Sequence, residues 1–150
     1  MSGRWLLAAL HLLALGIGMG AVWARGRALR RELDRGGLAR VFYADNWWGV
    51  AAGLWLITGL LRAFGGFEKG SAYYLHNQLF QAKMTLFAVI LVLEIAPMVA
   101  LIRWRAALRR GERVVPNSAR AYATISMIET VLLALIVVVA TGMARGYGAR

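Results

Sequence analysis

Of the 150 residues in this chain, His11, His76, Gln81 and Lys83 are the ones whose types best suit ligand chemistry. A neutral imidazole is a good ligand for iron or copper. Two imidazoles on facing helices would ligate one haem axially, with haem b as the implied cofactor. Gly18 lies seven residues after His11, on the same helical face, and would leave room for a flat macrocycle. Lys83 would neutralise a propionate or another carboxylate, or snorkel to the headgroups. Gln81, close by, is hard to justify against lipid. The plainer alternative has His11 hydrogen-bonded within a bundle, His76 in an interfacial loop, and the glycines allowing close helix packing. The chain has no cysteine and only these two histidines, so no metal beyond a haem iron is expected.

A second set is acidic. Asp45, Glu94 and Glu129 sit within apolar runs, where an ionisable group costs about 2.5–3.5 kcal/mol at a helix centre. Their comparable depth suggests facing helices that share protons or pair with inward-reaching arginines such as Arg25 or Arg40. Tyr122, Ser126 and Glu129 follow i, i+4, i+7 spacing, which gives one polar stripe. At least one of the three acids is expected to carry a proton. A polar clamp and a proton relay both fit this pattern. No Walker loop, GxSxG elbow or HExxH motif is present, so hydrolytic chemistry has no support and no catalytic residue stands out.

The elements that must position these groups are membrane spans. Hydrophobic residues make up 60% of the chain, and mean hydropathy is +0.58. A soluble domain of this size could not cover its surface with the polar residues that remain. Four apolar runs, at about 5–24, 44–63, 79–104 and 122–143, are each long enough to cross a bilayer once. They form one domain: an all-α, antiparallel four-helix transmembrane bundle. The run at 5–24 is longer than a signal-peptide core, and its flanking charges are reversed, so a retained first span is expected. Gly16 and Gly20, and Gly49 and Gly53, form GxxxG pairs suited to packing within the bundle or between protomers. Pro97 removes the helical donor to the Leu93 carbonyl in span three.

The net charge of +11 comes almost entirely from arginine. Arginines flank the apolar runs, which fits membrane orientation and anionic lipid contact rather than nucleic acid. The 1–2 and 3–4 connections hold twelve of the eighteen Lys and Arg residues. Both termini and the 2–3 connection are therefore expected outside, with the arginine-rich connections in the cytoplasm. Trp5, Tyr73, Tyr74 and Tyr147 would mark the outer interface. Trp23, Tyr43, Trp47, Trp48, Trp104 and Tyr122 would mark the inner one. The partners expected are the lipid bilayer and either further copies of the chain or a larger membrane complex.

Thr58-Gly59-Leu60-Leu61-Arg62, Glu68-Lys69-Gly70-Ser71-Ala72-Tyr73-Tyr74-Leu75-His76-Asn77 and Ala82-Lys83-Met84 cover the middle of the chain. On these residues the layout resembles a bacterial family of small predicted membrane proteins with no assigned function. More distantly it is similar to HemJ-type membrane protoporphyrinogen oxidases and CopD-like copper-resistance proteins. The HemJ type carries a histidine in span one and a Trp-Leu-His-x-Lys segment opening span three. His11 matches the first by position. Phe80-Gln81-Ala82-Lys83 keeps the aromatic and the lysine, with Gln81 about where the histidine would stand. The resemblance implies a bacterial cytoplasmic membrane location and haem binding. The readings that follow are a haem-binding redox protein, a proton-linked transporter or accessory subunit, and a structural membrane module.

Overall fold

The computed structural model describes residues 2–65 and 76–148. Tyr73, Tyr74, Glu68 and Lys69 lie outside the described residues. Among the described residues four helices follow one another: α1 (Ser2–Leu29), α2 (Arg35–Phe64), α3 (Gln78–Arg109) and α4 (Ala119–Ala144). All four are long and apolar enough to span a membrane, and the fold is an all-α membrane bundle. In hydrocarbon only a helix satisfies its own backbone without water, which is why apolar runs of this length fold this way.

The helices outrun the apolar runs. At 26 to 32 residues they measure about 39–48 Å, against about 30 Å of hydrocarbon. The excess lies mostly at the arginine-rich end. There α1 continues through Arg25 to Leu29, and α2 begins at Arg35 instead of near Ala44. Arginine is a good helix former, and Asp34 caps α2 by accepting from the Gly37 amide at 2.7 Å. Gly37 cannot carry a side chain there, because a Cβ would collide with the Glu32 carbonyl.

Left-handed glycines stop both α3 and α4. After α3, Gly111 takes φ +74°, the Gly111 amide donates to Leu108 and the Glu112 amide donates to Ala107. After α4, Gly146 takes φ +89°, and the same pair of bonds runs from Gly146 to Met143 and from Tyr147 to Gly142. These are Schellman stops, which satisfy carbonyls the helix leaves open. Asn77 caps α3, accepting from Leu79 at 2.9 Å and Phe80 at 3.2 Å. The Gln78 amide donates to Gly148, so the start of α3 is tied to the segment after α4.

Close helix packing joins α1 to α2, α1 to α4, and α3 to α4. The seam between α2 and α3 is bridged by side chains, with Phe87 edge-on to Trp55 at 5.3 Å and Arg105 donating to the Phe42 carbonyl. Two apolar clusters fill the interior. One, toward the chain termini, includes Ala14, Val22, Trp55, Ile90, Leu133 and Ile136. The other, toward the arginine-rich end, includes Leu29, Leu38, Val41, Leu101, Trp104 and Ala123.

Trp48 and Trp104 are buried in these clusters, and Trp104 packs edge-on against Tyr122. Their helical phase decides this: the buried residues Val41, Ala44, Trp48, Ala51, Trp55 and Thr58 recur every three or four positions on α2. The room beside Gly18 is taken by Trp48, whose ring would lie 3.3 Å from an added Cβ. Gly16, Gly20, Gly49 and Gly53 have open space where a Cβ would stand, so neither GxxxG pair packs inside the bundle.

Candidate functional site

Between the two apolar clusters lies a charged one centred on Arg25 of α1. A helical side chain leans toward its own N-terminus, so Arg25 turns back into the bundle from the last turns of α1. Its Nε donates to Ser126 Oγ at 3.0 Å. Nη1 donates to Asp45 at 2.8 Å and to Glu94 Oε1 at 2.7 Å. Nη2 donates to Glu94 Oε2 at 2.7 Å and to Glu129 Oε2 at 2.9 Å. A guanidinium has five N–H donors, and each one here has a partner. Glu94 is held by the two-pronged fork that suits a carboxylate. Through this one residue α1 is bonded to α2, α3 and α4.

Asp45 is shared. Its Oδ2 accepts from Arg105 at 2.9 Å, and the same Arg105 nitrogen reaches Asn46. Three carboxylates thus face two guanidiniums. Arg25 and Glu129 are fully enclosed, whereas Asp45, Glu94 and Arg105 keep 14%, 17% and 24% of their side-chain surface. Glu129 Oε1 is buried without a hydrogen-bond partner among the described residues. The cluster is closed toward α4 and open at the α2–α3 seam.

At the terminal end the bundle is hollow. A cavity of about 460 Å3 lies between α1, α2 and α4 and is reached by Lys83 of α3, with His11, Arg62 and Thr141 also on its walls. A cleft of about 70 Å3 between α2 and α3 shares His11, Trp55, Gly59, Ala63 and Lys83 with it. His11 and Arg25 stand fourteen positions apart on α1, about 21 Å along the axis. The first apolar cluster occupies that interval.

Local geometry fixes the His11 ring. Its Nδ1 lies 2.9 Å from Thr58 Oγ1, and the Thr58 hydroxyl donates its one proton to the Leu54 carbonyl at 2.7 Å. With its proton directed to the helix carbonyls of Leu54 and, at 3.1 Å, Trp55, the Thr58 oxygen is placed to accept from His11 Nδ1–H. The ring stacks on Trp55 at 5.7 Å. Gly59 lets it approach, since an added Cβ would stand 3.2 Å from His11 Cε1.

Of the residues singled out from sequence, Asp45, Glu94 and Glu129 all meet at Arg25, while Arg40 has no part in that cluster. His11 and Lys83 meet at the cavity, with Lys83 Nζ 5.0 Å above the Phe80 ring. His76 is exposed, just ahead of the Asn77 cap, and Gln81 is exposed on α3. Trp48 fills the place beside Gly18 that the haem reading left for a macrocycle. Among the described residues no group of three or more His, Asp and Glu has the arrangement of a metal site. Nothing in the sequence marks Arg105, Thr58 or Gly59 as site residues. Arg105 reads as a topology signal, and a threonine or glycine four turns into an apolar run gives no sign of its partner.

No curated protein and no solved structure matches the chain. The model of a family described as predicted membrane protein (DUF2214) matches residues 3–148, and the chain belongs to that family.

Proposed function

We propose that this membrane protein works in proton-linked transport, by itself or as an accessory subunit, with the exchangeable proton held by Glu94 and Glu129. One observation carries this reading: Glu94 Oε2 and Glu129 Oε2 both accept from the same Arg25 nitrogen, at 2.7 and 2.9 Å. Two carboxylates on one donor repel each other in a low-dielectric interior. Three carboxylates against two guanidiniums leave one negative charge uncompensated, and a single proton on the pair brings the set to neutrality. A buried uncompensated charge is costly, so proton occupancy would be felt by all four helices through Arg25. The partial exposure of Asp45, Glu94 and Arg105 at the α2–α3 seam supplies an access side. The apolar cluster toward the cavity supplies a barrier.

In reconstituted vesicles, Glu94→Gln is expected to abolish transport driven by a pH gradient while leaving the helical content intact. Unchanged transport would remove the acids from the mechanism.

The charge distribution supports an orientation with both termini outside and the arginine-rich connections in the cytoplasm. Because the chain has no cysteine, single cysteines at Gly111 and Gly146 report this directly. An impermeant thiol reagent applied to intact cells should label Gly146→Cys and spare Gly111→Cys. The reverse pattern would invert the assignment.

A haem reading takes His11, whose Nδ1 lies 2.9 Å from Thr58 Oγ1, and His76 as candidate ligands. Its test is the absorbance spectrum of protein purified after haem supplementation. A reduced b-type spectrum lost in His11→Ala would carry it, and a colourless protein would end it.

A further inference from the structure

We propose that the terminal-end cavity binds a single-chain membrane amphiphile with an anionic head group, which enters sideways from the bilayer between α2 and α3. Four features of the molecule lead there.

The first is adjacency. The cavity and the α2–α3 cleft have His11, Trp55, Gly59, Ala63 and Lys83 in common, so the two lie side by side along these residues. The second is where the cleft opens. Its walls are the side chains of Leu56, Leu60, Phe64 and Met84, all exposed large hydrophobics on spanning helices and so facing acyl chains rather than water. Among the described helices, the seam is the one sequential pair that lacks close helix packing.

The third is charge. The cavity carries Arg62 and Lys83, with the polar atoms of His11 and Thr141, and no carboxylate lies among its described lining residues. Both cations also have interactions within the chain, so a head group would join an occupied electrostatic site. Arginine and lysine together suit a carboxylate or phosphate monoanion. The fourth is size. About 460 Å3 falls within the range of small-molecule sites, about 300–1,000 Å3. This holds a head group and the first part of one chain, with the remainder lying in the cleft and the bilayer. The Arg25 cluster is a separate site, behind the apolar cluster, and the amphiphile site stands whether or not that cluster exchanges protons.

The test uses the full chain in phosphatidylcholine nanodiscs and a nitroxide-labelled stearate, whose binding quenches tryptophan fluorescence. Trp55 lies on the wall of both cavity and cleft and serves as the reporter. Saturable quenching is expected with the free acid, and only non-saturable quenching with its methyl ester. The saturable part should disappear in Trp55→Phe. The double variant Arg62→Gln, Lys83→Gln is expected to bind the acid roughly tenfold more weakly, the loss of charge-assisted contacts. Ala63→Phe keeps both cations, fills the junction of cleft and cavity, and should abolish saturable binding. Circular dichroism confirms that each variant is folded. Equal saturable binding of acid and methyl ester would overturn the proposal, as would undiminished binding in both the double variant and Ala63→Phe. Full competition by inorganic phosphate would make the cavity a free-anion site and would equally overturn it.

Discussion

Arg25 and Glu129 meet at 2.9 Å with both side chains completely enclosed, one near the end of α1 and the other in the first half of α4. Arg25 lies beyond the apolar run of its helix, yet it is the residue that binds the four helices together. In lipid, helix association gains little from hydrophobicity, because acyl chains are as apolar as leucine. Packing and interhelical polar bonds must hold the bundle, and here five such bonds issue from one guanidinium.

Replacement of Arg25 by leucine leaves Asp45, Glu94 and Glu129 facing one another with Arg105 as their one remaining cation in the cluster. Breaking a buried pair from one side costs about 3–5 kcal/mol, and a loss of this order is expected in reversible denaturation in mixed micelles. Arg25→Lys should recover little of it. A lysine ammonium keeps the charge but lacks the fork that holds Glu94 and spans Ser126 to Asp45.

Glycine substitutions on α1 should separate sharply by position. A Cβ at Gly26 would meet Ser126 Cβ at 3.1 Å and the Ala123 carbonyl at 3.3 Å, besides pressing on the Met127 side chain. Gly26→Leu should therefore pry α1 from α4 beside the charged cluster, at a cost of about 1–3 kcal/mol or more. Gly20→Leu meets open space and should leave thermal stability of the bundle unchanged. Similar losses in the two variants would contradict the packing described.

Thr58→Val removes the acceptor that holds His11 Nδ1–H. Interhelical hydrogen bonds in membranes average about 0.6 kcal/mol, so a small loss of stability is expected. The sharper readout is nitrogen NMR of the imidazole. Wild-type His11 should be the Nδ1–H tautomer when neutral, and Thr58→Val should shift the ring toward a mixture. An Nε2–H tautomer in the wild type would contradict the bond assignment.

Hydropathy makes the bundle legible, because a run of about 20 apolar residues has few other fates. Acids within such runs are equally visible, so Asp45, Glu94 and Glu129 stand out by residue type and position alone, and Arg25 can be named as a partner. What sequence conceals is which way each helix faces. A soluble helix betrays its buried side by contrast with a polar one. A spanning helix is apolar all round, and Trp47 and Trp48 look alike although one is exposed and the other buried. Arg105 is hidden for a different reason: an arginine near a span end already has a sufficient explanation in topology. The cavity is hidden because its residues come from all four helices and share no local pattern.

The measurement that bears most directly on the proton site is an infrared difference spectrum of the reconstituted protein on a pH step, taken for wild type and Glu129→Gln. Glu129 has no exposed surface, so a carboxyl signal from it arises only if protons reach the cluster. A carboxyl band is expected in the wild-type difference spectrum that is missing in Glu129→Gln and altered in Glu94→Gln. Superimposable spectra from wild type and Glu129→Gln would mean that the Arg25 cluster is a fixed clamp.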